Sequence, residues 1–73
     1  MTYLTKLKLA SIHQVCDAQD KSTEFMIQYM QDTCKLPLEC VMAYMELSTE
    51  KKQQLFKDLN GLVEIMIQFE QIL

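Results

Sequence analysis

The chain has 73 residues, 49% of them hydrophobic and 23% charged, with one Gly and one Pro. That length leaves no room for a multidomain enzyme, and so little turn punctuation argues against a β-sandwich, a barrel or a collagen-like chain. All seven basic residues are Lys and the formal charge is −3, so the chain lacks the basic footprint that dominates nucleic-acid affinity and the Arg fork that reads guanine edges.

The first predicted helix runs from about Thr2 to Cys16. Leu4, Leu7, Ser11 or Ile12, and Val15 recur at spacings of three and four and line one face, with Lys6 and Lys8 largely off it. The polar stretch Asp17 to Ser22 ends the pattern. A second helix opens at Ser22 or Thr23, whose hydroxyl can accept from a free N–H of the first turn, and Glu24 complements the positive helix end. Its stripe is Phe25, Met26, Tyr29, Met30 and Cys34. Pro37 marks a boundary and suits the start of a third helix, which reaches about Glu46. There Leu38, Val41, Met42 and Met45 share a face, and Cys40, Ala43 and Tyr44 make the other sides apolar. A helix apolar nearly all round is expected to be buried.

Ser48 is the predicted N-cap of the last helix, with Glu50 in its first turn. Leu55, Leu59, Leu62, Met66, Phe69 and Leu73 then follow at spacings 4, 3, 4, 3, 4, a heptad seam. Phe56, Val63 and Ile67 widen it on one flank, Ile65 and Ile72 on the other. Asn60-Gly61 is a turn signal, and Gly costs about 1 kcal/mol relative to Ala inside a helix. The seam nonetheless keeps phase across it, so one helix of about 24 residues is expected.

No residue pattern carries catalysis. His13 is the only histidine, no EF-hand spacing occurs, and four short helices offer little room for a water-excluding cleft. His13, Cys16, Cys34 and Cys40 could in principle make a Cys3His zinc site, but their spacing fits no recurrent zinc pattern. Core cysteines and a half-exposed histidine are expected instead, with no metal and no cofactor. Three cysteines are an odd number, which reads as reduced thiols in a cytoplasm. The start has no apolar region suited to a signal peptide. The longest uncharged apolar run, Cys40 to Met45, is six residues against the roughly 20 that span a bilayer. No membrane association is expected.

The second and third helices have helix-turn-helix proportions, but the second of the pair, Leu38 to Glu46, carries two acids and no base. Six Met residues suit irregular cores and adaptable binding surfaces alike. The apolar content exceeds what four short helices readily hide, which points to self-association or a protein partner.

The expected architecture is all-α, one domain over residues 1–73, with three shorter helices packed on one long C-terminal helix. The expected function is non-enzymatic regulation through protein–protein contact. Partner-binding or dimerisation residues are Leu55, Leu59, Leu62, Ile65, Met66, Phe69, Ile72 and Leu73. A homodimer with antiparallel C-terminal helices fits best, because past Asp58 the charges are only Glu64 and Glu70. In size, acidity and lack of a catalytic motif the chain resembles the small accessory regulators of phages and mobile elements, the antirepressors and anti-activators. That resemblance implies a protein that binds a DNA-binding regulator instead of DNA. It rests on general character, so it transfers no residue roles. The alternatives are a dimeric helix-turn-helix DNA-binding protein and a structural or chaperone-like helical subunit.

Overall fold

The structure, a computed structural model, describes residues 1–72, and for positions 69, 71 and 72 the backbone alone. It is all-α: α1 (Tyr3–Ala18), α2 (Thr23–Asp32), α3 (Leu38–Met45) and α4 (Thr49–Ile72).

Local chemistry sets the helix starts. The hydroxyls of Thr2, Ser22 and Ser48 accept from the backbone N–H of Thr5, Phe25 and Lys51 at 3.2, 3.1 and 3.2 Å. Each thereby satisfies one of the donors that a helix leaves free at its N-terminus. Before α3 this role falls to the backbone: the Pro37 carbonyl accepts from Cys40 and Val41. The ends are equally local. After α1, Asp20 adopts a left-handed φ of 60°. Lys21 N–H then reaches the Cys16 carbonyl and Asp20 N–H the Asp17 carbonyl, the paired bonds of a Schellman cap. Helix α2 stops at Asp32, two residues before the expected Cys34. The Thr33 and Cys34 N–H groups both converge on the Tyr29 carbonyl, and Lys35 turns the chain at φ 57°.

Within the bundle α1 is the hub: α4 packs against it, and α2 and α3 pack against it and each other. The core joins Leu7, Leu9, Ala10 and Cys16 of α1 to Met26 and Met30 of α2, Val41 and Tyr44 of α3, and Leu55 of α4. This corrects the face expected for α1. Of the stripe Leu4, Leu7, Ser11 or Ile12, and Val15, Leu7 is buried and Ile12 packs against the core, while Leu4 and Val15 are 62% and 53% exposed. Leu9, Ala10 and Cys16 complete the inward face, with His13 half-buried beside them. Helix α3 also departs from expectation. It is not buried all round: it packs on α1 and α2, Lys52 of α4 reaches its C-terminal end, and Leu38 and Met42 remain exposed.

Helix α4 is continuous through Asn60-Gly61 for its 24 residues. At a rise of 1.5 Å per residue it is about 36 Å long, against an envelope of 40 × 22 × 21 Å. The radius of gyration is 13.3 Å, where a compact chain of this length would give about 11 Å. The excess is the C-terminal half of α4, which projects past α1. A Cβ at Gly61 would meet nothing within 4 Å. Gly61→Ala therefore removes backbone entropy from the unfolded chain without a clash, and should stabilise by about 0.5–1 kcal/mol in urea denaturation. A loss of stability would mean that the helix breaks at this position.

Candidate functional site

The seam of α4 divides in two. Its first part belongs to the core: Leu55 is buried and Leu59 and Phe56 pack against the cluster. From Leu62 onward the described apolar side chains of the helix are largely uncovered. Leu62, Val63, Ile65, Met66 and Ile67 are between 48% and 63% exposed. Of the residues expected to dock a partner, Leu55 is thus a core residue and Leu59 is half-buried, whereas Leu62, Ile65 and Met66 are free to meet one. The side chains of Phe69 and Ile72, and Leu73 altogether, lie outside the described residues.

Beside the start of this overhang lies a groove of about 480 Å³. Leu4, Leu7 and Ile12 of α1 form one wall, Leu59 and Leu62 of α4 the other, and Cys34 and Leu36 close its end. Lys8 is its only charged lining residue and Ser11 its polar one. Ser11 and Ile12 also line a smaller hollow that continues to Val15, Phe25 and Tyr29. Phe25 and Tyr29 stack with ring centres 6.2 Å apart, and the Lys21 ammonium sits 5.0 Å over Phe25. The apolar stripe of α1 that sequence periodicity picked out is therefore split: Leu7 and Ile12 reach the core from the wall of the groove, and Leu4 and Val15 face outward. Unpartnered stripes on two helices meet at Leu4, Leu59 and Leu62. Periodicity found both stripes; their exposure is a tertiary fact that no local signal carries.

The polar residues inside the bundle have structural work. Tyr44 is fully buried, and its hydroxyl lies 2.7 Å from His13 Nδ1. The imidazole stands edge-on to the rings of Tyr44 and Phe56. Burial pushes the Tyr44 phenol up to about 12, so the phenol keeps its proton, and the tautomer of His13 sets which of the two atoms donates. Burial, aided by the charge of Lys52 and opposed by Asp17, holds His13 below its ordinary value. Lys52 in turn donates to the Met45 carbonyl at 3.0 Å and lies over the Tyr44 ring. At the other end of α1, Tyr3 Oη donates to the Asp58 carboxylate, which also accepts from Gln54. The two bonds lower Asp58, and the bond to Asp58 raises Tyr3. Both groups are on the surface, where such a contact locates α1 on α4 more than it stabilises the fold.

His13, Cys16, Cys34 and Cys40 do not form a ligand set. Among the described residues no group of three or more His, Cys, Asp or Glu side chains is placed to hold a metal ion. Cys16 is in the core and Cys34 and Cys40 are half-buried. The outer side of α3 presents Leu38, Glu39 and Met42, an acidic and apolar surface ill suited to phosphates. Among the described residues no helix is long and apolar enough to cross a membrane. Comparison with protein-family models, curated proteins and solved structures finds no match to this chain.

Proposed function

We propose that this chain is a non-enzymatic regulatory module that works by protein–protein contact, in the manner of an antirepressor that binds a DNA-binding regulator. The observation that carries this reading is the exposed apolar half of α4. Covering a fully exposed Leu, Ile or Met is worth about 1.5–3 kcal/mol. The five half-exposed side chains from Leu62 to Ile67 therefore hold on the order of 5 kcal/mol of gross contact energy, before the cost of association. Such a contiguous surface marks an interaction site. The net charge of −3 favours approach to a basic partner, as a DNA-binding protein is on its DNA side.

The test is capture from the native host with tagged chain and with the variant Ile65→Glu/Met66→Glu. Neither side chain serves the core, so far-UV helicity should persist. The variant should lose at least 90% of the captured regulator, because carboxylates forced into an interface without partners cost several kcal/mol. The purified regulator should then lose operator binding when the unmutated chain is added. Equal capture by both forms would refute the reading. So would selection of a specific DNA site by the chain alone, at an affinity near 10⁻⁸ M, which is the outcome that a helix-turn-helix protein would give.

A further inference from the structure

We infer that the groove between α1 and α4 receives the C-terminal half of α4 from a second copy of this chain, in a two-fold pairing where each copy gives its overhang and takes its partner's. The inference rests on α4 being the interaction element and names one occupant for the groove beside it.

Three features select that occupant. The first is charge. The groove has one charged lining residue, Lys8, while the overhang past Leu62 carries only acids, Glu64 and Glu70, both exposed. The overhang thus brings a carboxylate to the ammonium that the groove offers. The second is length. The groove follows α1 from Leu4 to Ile12, about 12 Å at helical rise, and the overhang from Leu62 to Ile72 supplies about 15 Å. The third is continuity. Leu62 is at once the last groove wall on α4 and the first residue of the overhang. A two-fold axis beside it covers groove and overhang in both copies together and leaves no open surface to propagate. Parallel pairing would set Glu64 on Glu64 and Glu70 on Glu70. The antiparallel two-fold separates these like charges and carries Glu70 toward the partner's Lys8.

Charge reversal tests the contact across copies. The unmutated chain should sediment as a dimer at tens of micromolar. Lys8→Glu and Glu70→Lys should each weaken dimerisation about tenfold, since each places two like-charge contacts in the symmetric assembly. An equimolar mixture of the two single variants should regain dimer to within about threefold of the unmutated chain, because in the mixed pair both contacts again join opposite charges. Both positions are exposed, and unchanged far-UV spectra verify folding. A monomer at tens of micromolar overturns the inference. A dimer that ignores the substitutions, or a mixture no tighter than the single variants, overturns it too. A failed pairing leaves Ile65 and Met66 uncovered and the regulator reading intact, whereas a confirmed pairing makes the regulator and the second copy compete for the same overhang.

Discussion

Tyr44→Ala should destabilise the protein by about 3–5 kcal/mol, the range for deleting a large buried aromatic side chain. Tyr44 is fully buried and joins α3 to His13 of α1, with Lys52 of α4 over its ring. A chain of this size has total stability of about 4–11 kcal/mol, so the variant should be partly unfolded in the absence of denaturant. Tyr44→Phe keeps the ring and loses only the hydroxyl. Its cost should be about 0.5–1.5 kcal/mol, because the half-exposed imidazole can turn to water. Urea titration followed by far-UV circular dichroism separates the two. Equal losses for Phe and Ala would show that the hydrogen bond, and not the packed ring, holds α3 in place.

The helix starts were legible because they are local. Ser22, Pro37 and Ser48 act within three or four residues of their own positions. The inward face of α1 was legible only in part, at Leu7 and Ile12, and the reason lies in its residues. Leu4, Leu7, Ser11 or Ile12, and Val15 make a more regular apolar stripe than Leu9, Ala10, His13 and Cys16 do. Periodicity reports that a stripe exists and cannot say which neighbour covers it. Here the inward face also holds His13, which meets Tyr44, 31 residues away. A polar pair satisfied only in the folded chain leaves no trace in hydrophobic pattern.

The same limit applies to the candidate site. The period of α4 is unbroken from Leu55 to Phe69, so nothing in it separates core from overhang. That division follows from lengths: α4 has 24 residues and α1, which covers it, has 16. The uncovered end of α4 is the consequence of that mismatch, and it begins where Leu4 of α1 is exposed. This is why the groove and the overhang lie side by side.

His13→Ala should cost about 1–3 kcal/mol at pH 8, because it strands the buried Tyr44 hydroxyl without a partner. That exceeds the expected cost of Tyr44→Phe even though His13 is the less buried residue. The order follows from which group is left behind: water reaches an abandoned imidazole, but not an abandoned phenol. The same pair sets the pH dependence. His13 is held below its ordinary value of 6.5, first by burial and then by the Lys52 charge. The unfolded chain therefore binds the proton more readily than the folded one. Stability from this group is complete above pH 6.5, falls as the pH drops below it, and levels off beneath the folded value. At the alkaline end Tyr44, raised from 10.0 to about 12 by burial, contributes stability that is full below pH 10 and is lost as the pH rises through 12. Urea midpoints measured from pH 8 to pH 5 should slope for the unmutated chain and flatten for His13→Ala. A slope that survives the substitution would assign the acid sensitivity to other groups and remove His13 from the account.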